Sequence, residues 1–224
     1  MDLILPRATT PAATRAAVFV DMAGALLRRP PDGDDDAATF MPAVGPALAA
    51  LADAGFAIVV VTTHSVLARG QAYARERFAR RQASLQAQLR DEAGVVLTDF
   101  VVCPHALGPG GQPACLCHKP APGLIHRAAR SHGIDTAASW MVGATLDDVE
   151  AGRRAGCRSV LLQVDDPQLD NDAATSRRAS PLRRPDACCS DWDEVVELLL
   201  VRPRPQAQPV QRASRHMVVA AHPS

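Results

Sequence analysis

The chain has 224 residues, enough for one α/β domain with a full core but not for two large ones. Its 24 Lys and Arg balance 24 Asp and Glu, which argues against a general polyanion-binding surface. No stretch approaches the roughly 18 apolar residues of a membrane helix, and the opening MDLILPRATTP lacks the basic start and long apolar run of a secretory signal. A cytoplasmic protein without a membrane partner is therefore expected.

Residues 1–15 read as an N-terminal extension and 16–201 as the domain. Ala16 to Val20 is an apolar run ending in Asp21, and Phe56 to Val61 is another ending in Thr62 and Thr63; both read as buried strands. Between them Val44, Leu48 and Leu51 lie on one helical face, with Gly55 as the C-terminal stop. This is a βαβ unit and predicts a parallel sheet. The alternation continues with a helix over about Leu67 to Asp91, a strand at Phe100 to Cys103, a Cys/His/Gly/Pro loop to Pro120, and a helix over Gly123 to His132. A strand at Ser139 to Val142, a helix over Leu146 to Ala155 and a strand at Ser159 to Gln163 follow. The repeated alternation predicts an α/β fold with a doubly wound parallel sheet.

Residues 165–189 are polar and rich in Pro and Arg, and read as a mobile loop. Asp191 to Val201 reads as a closing helix, with Asp191 as N-cap and Glu194 three residues on. From Arg202 the chain carries four Arg, two His and no acid, and reads as a disordered tail. No aromatic interleaving supports a nucleic-acid arm there.

In a doubly wound sheet, ligands lie outside the C-terminal ends of the strands. Asp21 leaves the first strand there, Thr62 and His64 the second, and Gly143, Ala144 and Thr145 a later one, with Asp147 and Asp148 one turn on. Lys119 precedes a helix at the same edge. Of the 24 basic residues it is the only lysine, in a composition that uses Arg wherever it can. A carboxylate, hydroxyls and an ammonium suit a phosphate better than a nicotinamide, which would want a Gly-rich turn after the first strand. A solvated loop lysine is the alternative for Lys119, and strand-end capping for the Thr62 hydroxyl.

Cys103, His105, Cys115 and Cys117 place three thiols and one imidazole in a single loop, 103–117. That set suits tetrahedral zinc, and a loop with little apolar material to pack gains most from such a staple. A disulfide or free thiols are the alternatives. Cys157, Cys188 and Cys189 fall outside the pattern.

These motifs, in this order, resemble the haloacid dehalogenase superfamily, in its heptose bisphosphate and histidinol phosphate phosphatase branch. VFVDMAGAL resembles the strand ending Asp-x-Asp-Gly-Thr, matching at Asp21 and Gly24. VVVTTHSVLARG resembles Val-Val-Thr-Asn-Gln-Ser-Gly-Ile-Ala-Arg-Gly, matching at Thr62, Ser65, Ala68, Arg69 and Gly70. CHKPAPGL resembles Cys-Arg-Lys-Pro-x-Pro-Gly-Met, with Lys119 on the motif lysine, and MVGATLDDVEAG resembles Met-Val-Gly-Asp-Lys-x-x-Asp at Gly143 and Asp148. The resemblance implies a capless, Rossmannoid domain with a small zinc-binding loop.

It also implies roles. Asp21 falls on the nucleophile that forms an aspartyl phosphate, Lys119 on the ammonium bridging nucleophile and phosphate, and Thr62 and Thr63 on the strand end that holds phosphate oxygens. Arg69 and His118 would contribute to the substrate rim, His118 standing where the branch has Arg. The acid/base Asp falls on Ala23 and a magnesium-binding Asp on Ala144. Asp21, the Ala23 carbonyl and Asp148 then remain for a magnesium ion that is weakly held or lost, while zinc is structural. The expected activity is hydrolysis of a small phosphorylated sugar by a monomer, impaired by the two alanines. The other reading is a non-catalytic relative that binds a phosphorylated ligand or a protein partner.

Overall fold

The computed structural model describes residues 14–28, 38–64, 67, 72–108, 113–163 and 180–201. Its main sheet has six strands: β1 (Ala17–Asp21), β4 (Ala57–Thr63), β5 (Asp99–Cys103), β6 (Trp140–Gly143), β7 (Arg158–Leu162) and β8 (Ala187–Cys189). A two-stranded ribbon, β2 (Leu27–Arg28) with β3 (Thr39–Phe40), follows β1. Five α-helices complete the described fold: α1 (Val44–Asp53), α2 (Ala72–Ala93), α3 (Gly123–His132), α4 (Leu146–Arg154) and α5 (Trp192–Val201).

The main sheet runs β5-β4-β1-β6-β7-β8, and all five pairings are parallel. From β1 the chain winds outward through β4 and β5, then crosses back to build β6, β7 and β8 on the other flank. The winding reverses between β1 and its neighbour β6, and at such a switch point the loops part to leave a crevice. Asp21, at the end of β1, is placed beside it.

Alternation along β1 assigns side chains to two cores, since successive strand residues face opposite sides of the sheet. Val18 and Val20 join Leu48 and Leu51 of α1, Phe78, Leu85 and Leu89 of α2, and Trp192, Val195 and Leu199 of α5. Ala17 and Phe19 join Leu124, Ile125 and Ala128 of α3 and Ala151 of α4. With helices covering both faces, all five β1 side chains are buried, which is why the sequence shows a continuous apolar run there rather than an alternating one.

The local signals at two helix ends act as expected. Gly55 follows α1 at φ 87°, a left-handed conformation costly for a residue with a Cβ, and its N–H donates to the Ala52 carbonyl at 2.8 Å. At the start of α5, Asp191 Oδ1 accepts the Glu194 N–H at 2.9 Å and Glu194 Oε2 accepts the Ser190 N–H at 2.8 Å. The start of α5 is tied to the turn after β1 by Trp192, whose indole N–H donates to the Ala25 carbonyl at 2.9 Å.

The segment 165–189 departs from its reading as a loop. Residues 164–179 lie outside those described, but Ala187–Cys189 form the edge strand β8. Asp186 secures that pairing: its N–H donates to the Ser159 carbonyl at 2.9 Å, and its Oδ2 accepts the Ser159 N–H at 2.8 Å. A three-residue strand made by an edge partner carries no periodicity of its own. Just before it, Pro181–Arg183 form a 3-10 turn, and the buried Arg183 Nε donates to Glu150 Oε2 at 2.8 Å while a second guanidinium nitrogen meets Asp147 Oδ1. The expected extension, over residues 1–15, is described only at its end, where Arg15 already pairs with Ile134. The expected tail, 202–224, lies outside the described residues.

Candidate active site and metal centre

Asp21 ends β1 and is 4% exposed. The chain reverses at once after it: the Leu26 N–H donates to the Asp21 carbonyl at 3.0 Å, the Leu27 N–H to the Met22 carbonyl at 2.8 Å, and Gly24 takes φ 93° inside the turn. Asp21 Oδ2 accepts the Ala23 N–H at 3.1 Å, which orients the carboxylate and places the Ala23 side chain two residues on, where no proton-transfer group is available. In register, Asp21 pairs with Val61, so the buried Thr62 lies one step further along the same edge and the half-buried Thr63 beyond it.

Lys119 approaches from the loop before α3. Its Nζ donates to Asp21 Oδ1 and, at 2.5 Å, to Asp148 Oδ1, and all three residues are buried. Burial alone would lower the lysine pKa, but the charges of Asp148 and Asp21 outweigh it and hold the ammonium above the ordinary lysine range. Two carboxylates around one ammonium leave a net charge of minus one in a region of low dielectric, a setting that discriminates sharply between incoming ions.

Asp148 belongs to the first turn of α4 and is fully buried. Its Oδ2 accepts from the Thr145 N–H at 3.0 Å and the Thr145 hydroxyl at 2.7 Å, while Thr145 Oγ1 accepts the Asp148 N–H at 3.3 Å. This reciprocal cap satisfies the helix N-terminus. The carboxylate also lies hard against the end of β6: a Cβ on Gly143 would come within 2.5 Å of Asp148 Cγ and 2.6 Å of Oδ2. Only glycine leaves that space, so the Gly143 position and the Asp148 position depend on one another.

The oxygen donors at this edge are a poor match for magnesium. A protein-held magnesium takes near-octahedral oxygen coordination and leans on carboxylates. Here Asp148 has both oxygens engaged, Ala144 offers a methyl, and Asp147 is drawn to Arg183. What remains is Asp21, itself paired with Lys119, and the Ala23 carbonyl. These residues do not fit a resident magnesium ion.

The loop thiols give the opposite result. The ligand atoms of Cys103, His105, Cys115 and Cys117 all lie within 4.8 Å of one another. Cys103 Sγ is 3.6 Å from Cys115 Sγ, 3.3 Å from Cys117 Sγ and 3.6 Å from His105 Nδ1, and His105 Nδ1 is 3.1 Å from Cys117 Sγ. Tetrahedral zinc, with Zn–S bonds of about 2.3 Å, sets its sulfur ligands about 3.8 Å apart. The four side chains can hold a metal ion such as zinc with small adjustments, and none of the thiols is in a disulfide. Burial, the largest influence on Cys103, pushes its thiol up to about 12, so without a cation this thiol keeps its proton.

Other expected rim residues divide. His118 Nδ1 lies 3.9 Å from Cys103 Sγ, which sets it beside the metal cluster. His64 packs its ring on Phe78 of α2 at 4.8 Å between centroids. Arg69 lies outside the described residues. The T-x-x-D spacing of Thr145 and Asp148 is itself a capping signal in the sequence, whereas nothing local in the sequence points to Glu150 meeting Arg183.

Comparison with known proteins decides the family. A D-glycero-beta-D-manno-heptose-1,7-bisphosphate 7-phosphatase from Haemophilus ducreyi is 34% identical over 151 residues, spanning 66% of this chain and 82% of that one. The chain belongs to this branch of the haloacid dehalogenase superfamily. The HAD-hydrolase-like family itself matches residues 116–194. A Pseudomonas aeruginosa protein of the same description is 33% identical over 120 residues, spanning 53% of this chain and 63% of the relative. The crystal structure of the D,D-heptose 1,7-bisphosphate phosphatase from B. bronchiseptica, complexed with magnesium and phosphate, superposes with a TM-score of 0.65 at 26% identity, covering 83% of this chain and 98% of that one. Family membership accounts for the sheet order. Among the described residues no helix is long and apolar enough to cross a membrane.

Proposed function

We propose that this protein binds a small phosphorylated sugar at the strand edge around Asp21 and hydrolyses it slowly. The observation that carries the reading is the buried cluster of Asp21, Lys119 and Asp148, with alanines at 23 and 144. Asp21 serves as the nucleophile: an oxygen of its carboxylate bonds to phosphorus as the bond from phosphorus to the sugar oxygen breaks. Lys119 steadies the charge on the transferring group, and Thr62 donates its hydroxyl to a phosphate oxygen. The departing sugar oxygen takes its proton from water, because Ala23 offers none, and water then cleaves the aspartyl phosphate to release inorganic phosphate and restore Asp21.

A positioned acid/base contributes about 10²–10⁴-fold, so its absence alone makes turnover slow. The net negative charge of the cluster opposes a phosphate dianion as well, and a magnesium ion that would relieve the repulsion finds only Asp21 and the Ala23 carbonyl. The sugar bisphosphate class comes from the named activity of the Haemophilus ducreyi and Pseudomonas aeruginosa relatives. We assign Cys103, His105, Cys115 and Cys117 to a structural zinc ion, on the donor set and its spacing.

The doubly paired Lys119 favours a second reading, in which the closed cluster only binds. Phosphate release from heptose 1,7-bisphosphate and from p-nitrophenyl phosphate, with Asp21→Asn as the blank, separates the two. Slow release that disappears in the Asn variant supports hydrolysis. Release equal to the blank, with binding retained in calorimetry, selects the binding role, and fast magnesium-dependent release overturns both.

A further inference from the structure

A single residue, His118, separates the metal-loop thiol of Cys117 from Lys119. Two residues of extended chain span about 7 Å at most, so a shift of the loop reaches the lysine backbone with little attenuation. The turn is closed twice: the Ala121 N–H donates to the His118 carbonyl and the Gly123 N–H to the Leu116 carbonyl, both at 2.9 Å. The second bond rests the first turn of α3 on the peptide that joins Leu116 to Cys117.

Gly123 permits this contact because it has no side chain. A Cβ there would stand 2.8 Å from the Leu116 carbonyl carbon and 3.3 Å from Cys117 Cα, and would collide with the Leu116 oxygen. All of these are backbone atoms, so relief requires moving either the loop or the helix. α3 is anchored by Leu124, Ile125, Ala128 and Ala129 beneath the sheet. Leu116, by contrast, is 85% exposed, and the loop is the part that yields.

We propose that Gly123 is a positioning residue that couples the metal centre to the strand edge. Through it, an ion held by Cys103, His105, Cys115 and Cys117 fixes the Lys119 ammonium between Asp21 and Asp148. The inference rests on the zinc assignment made above. It adds that metal occupancy governs whether the phosphate-facing ammonium is in place, so loop and cluster act as one unit.

The single lysine of the chain makes its ammonium a reporter that needs no turnover. Reductive ¹³C-methylation at Lys119, read by mass spectrometry, is compared in zinc-loaded protein, chelator-stripped protein and Gly123→Ala, with metal content and near-ultraviolet circular dichroism recorded for each. Expected are slow methylation when loaded, a rise of tenfold or more on stripping with the fold retained, and a similar rise in Gly123→Ala even with zinc present. Cobalt-loaded Gly123→Ala should also show altered thiolate charge-transfer bands. Gly133→Ala serves as the control, since Gly133 has φ +61° but no atom within 4 Å of its added Cβ: it should lower stability without changing Lys119 methylation.

Equal methylation of folded loaded and stripped protein overturns the coupling while leaving the zinc assignment standing. Absence of bound zinc overturns the zinc assignment and the ion's part in the coupling, and the comparison of Gly123→Ala with the parent then decides whether the glycine positions the lysine. If Gly123→Ala does not fold, the loaded and stripped parent proteins decide the matter.

Discussion

Lys119 and Asp148 meet as a buried ion pair at 2.5 Å, although one comes from the loop before α3 and the other from the first turn of α4, on opposite sides of the sheet's switch point. Asp21 closes the cluster from β1. Removing one partner from such a pair leaves an uncompensated charge in the interior, at about 3–5 kcal/mol. Lys119→Met is therefore expected to lower unfolding stability by that order in urea titration. Adding Asp148→Asn to it should recover part of the loss, because one of the two stranded carboxylates is then neutral. A loss below about 1 kcal/mol for Lys119→Met would mean that the cluster is solvated.

Metal removal should loosen the loop of residues 103–117 first. The purified protein is expected to carry one zinc ion per chain by elemental analysis, lost on treatment with a strong chelator, with a lower melting temperature as a result. Cys115→Ser should reproduce both effects. The parallel strand pairings lie outside residues 104–117, so far-ultraviolet circular dichroism should change little.

Cys157 predicts a specific pH response. Burial, and next the nearby charge of Asp135, pushes its thiol up to about 12, whereas in the unfolded chain it titrates near the ordinary thiol value, about 8.5. The folded state then holds a proton that the unfolded state gives up, so the contribution to stability is intact below about pH 8.5 and is lost as pH rises toward 12, by up to about 1.4 kcal/mol per pH unit. Urea midpoints measured from pH 7 to 11 should fall over that window, and Cys157→Ala should flatten the fall. The same burial should make Cys157 slower to alkylate at pH 7 than the exposed Cys188.

Much of this was legible in the sequence for physical reasons. The run before Asp21 and the run before Thr62 are continuous and apolar because both strands are covered on two faces, and covered strands in a parallel sheet end at a ligand edge. The thiols and imidazole of residues 103–117 were legible because metal ligation needs particular side chains rather than a particular backbone. Strand β8 was not legible: three residues have no period, and Asp186 fixes them by reaching Ser159 of β7, a contact made by the fold. The ribbon of β2 and β3 escaped for the same reason. Nor could spacing reveal that Asp148 turns one oxygen to Lys119 and the other to Thr145. His118 is expected at the substrate rim from the resemblance, and the fold sets its ring 3.9 Å from Cys103 Sγ, a contact that spacing alone does not show.

In the proposed function a phosphatase scaffold keeps its nucleophile position without the groups that make the nucleophile efficient. The direct test is phosphate release from heptose 1,7-bisphosphate in saturating magnesium, comparing the parent protein with Ala23→Asp combined with Ala144→Asp. Restoring a positioned acid/base is worth about 10²–10⁴-fold, so the double variant should gain at least about a hundredfold over a slow parent and lose that gain when Asp21→Asn is added. A parent that already turns over at the rate of the restored variant, or a double variant that gains nothing while remaining folded, would contradict the account.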